Sequence, residues 1–183
     1  LDGLFPPTCV GCEKDGVWLC QECLEGIELR PQASCPQCGH YPWSNHPCEG
    51  DWEFASFFSV GSYVDPLLQK LLRAYKYQRA RCLEPVFATL LQRFATQIKE
   101  ARPWPTSDVI VTSLPMDADR LRARGLDHAS LLADQVQQII LPQATRGQVL
   151  TRTRTVVANA TLSEPTLRAA NMKGVFACTQ TTT

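Results

Sequence analysis

The chain has 183 residues, 44% of them hydrophobic, and it carries 18 basic and 18 acidic side chains. This length suits one domain with a small additional module, and no stretch approaches the run of about eighteen apolar residues that a transmembrane helix needs. The N-terminus has no basic region followed by an apolar run, so we predict a soluble, cytoplasmic protein without a membrane partner.

The zero net charge hides an asymmetry along the chain. Residues 1–53 carry nine acidic and two basic side chains, for a net charge of −7. Residues 54–183 carry nine acidic and sixteen basic side chains, for a net charge of +7. Such a split predicts two modules with different partners. Because an acidic module repels a polyanion, direct nucleic-acid binding is not expected, whereas the basic module suits a phosphorylated ligand.

Seven of the nine cysteines lie between Cys9 and Cys48, and six of these seven form C-x-x-C pairs. A C-x-x-C pair places two thiolates about 3.5–4 Å apart, which suits two corners of a tetrahedral zinc site with Zn–S bonds of about 2.3 Å. The first two pairs are separated by a loop of seven residues. They predict one complete four-cysteine zinc site, formed by Cys9, Cys12, Cys20 and Cys23.

Three further cysteines predict a second zinc site: Cys35, Cys38 and Cys48. Asp51 stands where the next C-x-x-C cysteine would fall, so we predict it as the fourth ligand. His46 and His40 are nearby alternatives, because a carboxylate or an imidazole also ligates zinc. The choice among these three side chains stays open.

Zinc is a better interpretation of these cysteines than disulfides. An odd cluster of seven cysteines in a chain without a secretion signal argues against disulfides. A segment this short cannot build a sufficient core of its own, so we interpret the zinc as structural. The two remaining cysteines, Cys82 and Cys178, stand in apolar or strand-like surroundings and are predicted to be buried small hydrophobes.

Two amphipathic helices are predicted after the cysteine-rich segment. The stretch "FASFFSVGSYV" (54–64) alternates loosely and predicts one or two strands. Asp65 then suits the N-cap of a helix that begins at Pro66. The apolar face of this helix is Leu67, Leu68, Leu71, Leu72 and Tyr75. Pro85 is predicted to begin the second helix. Its apolar face is Phe87, Leu90, Leu91, Phe94 and Ile98.

The rest of the chain alternates strands and helices. After a proline-rich linker (102–107), "DVIVTSLP" (108–115) predicts a buried parallel strand. A loop rich in arginine follows, and Asp127 suits the N-cap of the next helix. The inner face of that helix is predicted as Leu131, Leu132, Val136 and Ile139. Two further strands are predicted within 147–153 and 173–180. This order is typical of an open parallel α/β sheet, in which ligands bind at the carboxyl ends of strands, the predicted place of the arginine-rich loop.

Several motifs in this order resemble the ComF/GntX family. They are "LFPPTCVGC" (4–12), "CPQCG" (35–39), "LLRAYKYQ" (71–78), "RLRARGLDHASLLA" (120–133) and "LTRTRTVVANATLSEPTLRAANMKGVF" (150–176). The resemblance implies an α/β protein: a type I phosphoribosyltransferase-like parallel sheet with flanking helices, preceded by a small zinc-ribbon module. The implied domains are a double zinc ribbon over 1–53 and a phosphoribosyltransferase-like domain over 54–183.

The resemblance also implies a ligand, 5-phosphoribosyl-1-pyrophosphate (PRPP), and contacts for its phosphates. The motif positions that carry over as phosphate-binding residues are Lys76, Arg120, Arg124 and Gly125. Asp127 and His128 depart from the family pattern, in which asparagine and glutamine follow at those two places. The departure puts a carboxylate near the implied polyphosphate.

The largest departure is at the C-terminus. In the family, an apolar strand and a D-D-V-x-T-T-G loop follow "GVFACTQ", and that loop holds the 5′-phosphate of PRPP. The chain ends instead in "TTT", and it contains no two adjacent acidic residues. The domain is thus interpreted as lacking its PRPP-loop half. We expect no transferase activity if Thr183 is the true end, and a role for Mg²⁺ only in a form that carries the loop.

Two functions are compatible with these sequence features. The resemblance implies a ComF-like, phosphoribosyltransferase-related protein from a family with links to competence and DNA uptake. The alternative is a zinc-ribbon adaptor that binds protein partners of the DNA-uptake machinery without turnover. Release of pyrophosphate from PRPP separates the two hypotheses, because only a transferase produces it.

Overall fold

A computed structural model of the protein describes residues 6–35, 37–38, 40, 57–77, 80–101 and 108–179. The chain divides into two compact units, Leu1–Pro105 and Thr106–Thr183. The protein is mixed α/β, with six helices and a short parallel two-stranded sheet among the described residues. The predicted boundary after residue 53 lies outside the described residues.

The helices and strands are short apart from three helices. The α-helices are α1 (Gln21–Glu25), α2 (Pro66–Tyr77), α3 (Ala80–Ala101), α4 (Ala118–Arg124), α5 (His128–Ile139) and α6 (Pro165–Met172). The strands are β1 (Ile110–Val111), β2 (Thr145–Arg146), β3 (Leu150–Arg152) and β4 (Phe176–Cys178), and a 3₁₀ helix covers Asn159–Thr161.

In the first unit, α2 begins as the sequence predicts. The Asp65 carboxylate accepts hydrogen bonds from the N–H groups of Leu67 at 2.7 Å and Leu68 at 3.0 Å. These bonds satisfy two of the backbone donors that a helix start leaves open. The face that α2 buries is Leu68, Leu71, Ala74 and Tyr75. Leu67 and Leu72, predicted for the same face, are half-buried.

The second long helix, α3, starts earlier than predicted. It begins at Ala80 rather than at Pro85, and Pro85 lies inside it. A proline lacks the N–H that would reach the carbonyl four residues earlier, so the helix loses one backbone bond near its start. All five predicted apolar residues of α3 are buried: Phe87, Leu90, Leu91, Phe94 and Ile98. The rings of Tyr75 and Phe87 are 4.5 Å apart between centroids, which ties α2 to α3.

The predicted strands over 54–64 are largely absent from the part of that stretch that is described. Gly61 forms only an isolated antiparallel bridge with Leu29. The N–H of Arg30 donates to the Val60 carbonyl at 3.0 Å, and the N–H of Ser34 donates to the Phe57 carbonyl at 2.8 Å. The segment therefore borders residues 29–34 of the same unit without forming a regular ladder.

The second unit is built around one β-α-α-β arrangement. Strands β1 and β2 pair in parallel, with Ile110 opposite Thr145 and Val111 opposite Arg146. The predicted buried strand over 108–115 is thus confirmed as parallel, but it is only two residues long and Ile110 is 49% exposed. The small core of the unit consists of Val111, Ala133 and Ala144, with Val109, Val136 and Leu141 packed against it.

The last two strands form a separate antiparallel pair. Leu150 lies opposite Cys178 and Arg152 opposite Phe176. The prediction that these segments form strands is confirmed, but their place in one parallel sheet is not, because β3 runs against β4. Helix α6 between them was not predicted, although Pro165 stands at its first turn. Gly174, at φ 68, turns the chain back after α6 in a conformation that favours glycine.

Candidate metal centre

The four cysteines of the predicted first site lie together. The sulfur atoms of Cys9, Cys12, Cys20 and Cys23 are all within 4.8 Å of one another. Cys12 Sγ and Cys20 Sγ lie 3.6 Å apart. In a tetrahedral zinc–thiolate site, ligand sulfurs are about 3.8 Å apart. Four cysteines this close can hold a metal ion, and the cluster fits a zinc-ribbon module.

A tight turn and a helix start position the ligands. The N–H of Cys9 donates to the Lys14 carbonyl at 2.8 Å, and the N–H of Glu13 donates to the Cys9 carbonyl at 2.9 Å. Glu13 adopts a positive φ of 65°, and this conformation turns the chain back directly after the first two ligands, Cys9 and Cys12. Cys20 is the N-cap residue of α1, so Cys20 and Cys23 are separated by about one helical turn.

The thiols of the cluster differ in their tendency to ionise. Burial opposes ionisation of Cys9, but nearby backbone N–H groups, including that of Cys20 at 3.3 Å, outweigh burial and lower the pKa of Cys9 to about 6. The neighbouring Cys20 side chain and burial raise the pKa of Cys23 to about 12. A divalent cation among the sulfurs stabilises all four as thiolates, because it offsets their mutual repulsion.

The turn that carries the ligands packs tightly on its neighbours. A Cβ atom added at Gly11 would stand 2.6 Å from Cys23 Sγ and 3.1 Å from Leu67 Cδ1. The first distance is far below van der Waals contact, so only glycine fits there. The Arg93 guanidinium of α3 donates to the Leu24 carbonyl in α1. The cysteine-bearing segment is therefore held against both α2 and α3.

The second predicted site is only partly within the described residues. Cys35 is buried and its N–H donates to the His40 carbonyl at 2.9 Å, while Cys38 is exposed. Cys48, His46 and Asp51 lie outside the described residues. The second site and the choice of its fourth ligand therefore stay predictions.

The two cysteines outside the cluster are not buried as predicted. Cys82 and Cys178 are both exposed free thiols. Cys82 precedes the buried Leu83 on α3, so it points away from the buried face. Cys178 is the last residue of β4 in the two-stranded β3–β4 sheet, and it is exposed there. In both cases burial was predicted from apolar neighbours in the sequence, and that prediction was wrong.

The residues expected to contact phosphate lie in different elements. Lys76 is exposed in the last turn of α2, in the first unit. In the second unit, Arg120 and Arg124 lie on α4, and an Nη of Arg120 donates to the Val156 carbonyl at 2.7 Å. Gly125 ends α4 at φ 73, where its N–H donates to the Leu121 carbonyl at 2.8 Å. Arg120 and Gly125 therefore have structural contacts of their own, and Arg124 also interacts with another part of the chain.

Sequence reasoning missed a buried ion pair at the start of α4. Asp117 is buried, and its carboxylate accepts hydrogen bonds from the N–H of Asp119 at 3.1 Å and of Arg120 at 3.4 Å. Arg152 Nε lies 3.7 Å from the Asp117 carboxylate. The Thr155 side chain, the two N–H groups and Arg152 lower the pKa of Asp117 against the opposing effect of burial. An aspartate just before a helical segment was the available signal for the N-cap, but no local pattern indicated the pairing with Arg152.

Motif residues near the C-terminus contact one another. The Asn171 amide donates to the Asn159 side-chain oxygen at 2.7 Å, and Arg168 Nε donates to the Leu162 carbonyl at 2.8 Å. The Arg152 guanidinium lies 5.5 Å from the centre of the Phe176 ring. The motif that carries much of the resemblance therefore holds the 3₁₀ helix, α6 and the β3–β4 pair together.

Comparison of the chain with protein-family models, with curated proteins and with solved structures finds no match in any of the three. Membership of the ComF/GntX family thus stays a prediction from the motifs. Among the described residues, no helix combines the length and the apolar character that crossing a bilayer requires.

Proposed function

We propose that the protein binds one structural Zn²⁺ through Cys9, Cys12, Cys20 and Cys23. The observation that carries this proposal is the convergence of the four sulfurs within 4.8 Å. A set of four thiolates is typical of structural zinc, and it leaves no coordination position for water or substrate. Zinc bound there cross-links the turn that carries Cys9 and Cys12 to the start of α1.

Such a cross-link would stabilise the cysteine-bearing segment against the helices on which it packs. The metal joins the turn that contains Gly11 to the start of α1, and both segments pack on α2 and α3. The cysteine-bearing segment buries few apolar side chains of its own, chiefly Leu24, Ile27 and Leu29. Because folding and binding are linked, the binding free energy of the metal contributes to the stability of this unit.

The test is a zinc count on the purified protein and on three cysteine variants. Native mass spectrometry of the wild type is expected to show bound zinc, and Cys9→Ser/Cys20→Ser is expected to lose one zinc per chain. Cys82→Ser is the matched control, because it removes an exposed thiol outside the cluster. A wild type without zinc, or a Cys9→Ser/Cys20→Ser variant with an unchanged zinc content, contradicts the proposal. Cys35→Ser/Cys38→Ser reports separately on the second predicted site.

For the second unit we propose a phosphorylated ligand of the PRPP type, in keeping with a ComF-like, phosphoribosyltransferase-related protein. The parallel pairing of β1 and β2, with two helices between them, supports this proposal. The segment from β1 to α4 leaves the carboxyl end of a parallel strand, where such folds bind ligands. Arg124, half-buried at the end of α4, is the candidate phosphate contact that these features favour.

Calorimetric titration with pyrophosphate and with PRPP, each with and without Mg²⁺, tests this second proposal. Arg124→Gln is expected to weaken binding about tenfold, since it removes one charged hydrogen bond. Arg122→Gln is the control, because Arg122 is exposed and pairs with Asp119. Release of pyrophosphate would favour a transferase. If neither pyrophosphate nor PRPP binds, the better proposal is the alternative function, a zinc-ribbon adaptor that binds DNA-uptake partners.

A further inference from the structure

A cavity of about 430 Å³ borders the metal centre within the first unit. The cysteine-bearing turn contributes Cys9, Glu13 and Trp18 to its lining, and α2 contributes Lys70 and Arg73. One predicted metal ligand and two basic residues therefore line the same cavity. Arg73 lies within the motif over 71–78, in which the resemblance gives a role only to Lys76, and Lys70 lies outside the quoted motifs.

The side of α2 that carries these two residues faces the turn. Leu67, Lys70 and Ala74 recur at helical spacing, and Arg73 lies beside them. Leu67 Cδ1 is 3.1 Å from the position that a Gly11 Cβ would occupy, and Ala74 also lines the cavity. Lys70 and Arg73 thus belong to the part of α2 that lies against the metal-binding turn.

The charges on the two sides of the cavity have opposite signs. Four thiolates around one Zn²⁺ carry a formal charge of about −2, which the lone acid Glu13 makes more negative. Neither the Lys70 nor the Arg73 side chain has a hydrogen bond or ion pair with another residue in the described part of the chain. Both basic side chains are exposed, so their attraction to the centre acts through solvent and weakens as salt is added.

We propose that Lys70 and Arg73 are countercharges of the metal–thiolate centre, which raise its affinity for zinc by long-range attraction from α2. The inference rests on the proposed zinc site. In this proposal the two side chains act on the metal centre through their charge and do not bind the metal as ligands. It also gives a reason why a basic helix lies beside an acidic, cysteine-rich segment in one compact unit.

The experiment measures zinc affinity of the full chain by competition with a chromophoric chelator. Lys70→Gln/Arg73→Gln is expected to bind zinc about tenfold more weakly than the wild type at low salt. Lys70→Arg/Arg73→Lys keeps both charges and is expected to retain wild-type affinity. Arg81→Gln/Lys173→Gln removes the same charge from exposed positions that do not line the cavity, and it is the matched control.

Varying the salt concentration distinguishes two causes of weaker zinc binding in the variant, namely lost attraction between charges and lost packing. The difference between wild type and Lys70→Gln/Arg73→Gln is expected to shrink at 1 M salt, since the screening length falls to about 3 Å. Equal affinities at low salt, or a difference that salt leaves unchanged, would overturn the inference. A wild type that binds no zinc would instead overturn the proposed zinc site, and the chelator assay reports that outcome directly.

Discussion

At the scale of the residue, Gly11 determines how closely the metal-binding turn packs against Cys23 and α2. Its missing side chain lets the turn approach both a ligand sulfur and α2, and an added Cβ would stand 2.6 Å from Cys23 Sγ. Gly11→Ala is therefore expected to displace a ligand and to weaken zinc binding at least tenfold, measured by chelator competition. Gly26→Ala is the control, because its Cβ would meet its nearest neighbour at an ordinary 3.4 Å. Equal losses in both variants would contradict the steric explanation.

Asp117 gives a second prediction at the residue scale, because its folded-state pKa is lowered. The charged form contributes stability above the unfolded-state pKa of about 3.9, and this contribution is lost as the pH falls through the folded-state pKa. Asp117→Asn keeps an N-cap side chain but not the charge. We expect the variant to be less stable than the wild type at pH 7, and the difference to disappear in acid.

Urea unfolding followed by circular dichroism at several pH values measures this difference. Asp119→Asn is the matched control, since Asp119 is exposed and pairs with Arg122 at the surface. That control is expected to match the wild type at every pH. A difference between wild type and Asp117→Asn that does not depend on pH would show that the charge of Asp117 is not what stabilises α4.

At the scale of the element, Arg146 joins β2 to α5. Its Nε lies 2.7 Å from an Asp134 oxygen, one Nη donates to the Ser130 hydroxyl at 3.0 Å, and the other donates to the Val111 carbonyl at 3.2 Å. A lysine cannot reproduce this fork of donors. Arg146→Lys is expected to lower the free energy of unfolding by about 2 kcal/mol, measured by urea denaturation. Arg122→Lys, at the surface, should change it little; equal effects of the two substitutions would contradict this role.

The elements that the sequence predicts well are those fixed by local chemistry. Asp65 and Pro66 mark the start of α2, and apolar spacing marks the buried face of α3, because caps and helical periodicity depend on near neighbours. The direction of β3 relative to β4 depends on how the chain returns through α6, and no local pattern encodes it. The start of α3 was misplaced because Pro85 is tolerated inside the helix.

The same distinction applies to the candidate sites. The C-x-x-C spacing predicted the first four-cysteine cluster, because two such pairs need only one loop to converge. The contact of Arg120 with the Val156 carbonyl and the pairing of Asp117 with Arg152 join residues more than thirty positions apart. Nothing in the sequence relates those positions without a structure. The exposure of Cys82 likewise follows from which side of α3 packs inward.

At the scale of the whole molecule, the cysteine-bearing segment belongs to the same compact unit as α2 and α3. A segment of this size rarely folds on its own apolar core, so a metal and a helical support are complementary sources of stability. The tests of Gly11, Lys70 and Arg73 all examine this one unit. The second unit has its own core around Val111 and its own buried ion pair.

Removal of the metal is therefore expected to act on one unit. A strong chelator should increase hydrogen exchange across residues 6–35 and the first turns of α2, because all four ligands lie there and the bound metal stabilises only the folded form. Exchange in β1, α5 and β2 should be unchanged, since their core contains no ligand. Mass spectrometry of peptides after exchange measures both regions in one sample. Equal increases in the two units would contradict a zinc site whose contribution is local to the first unit, and no increase in either would show that the cluster does not depend on a metal.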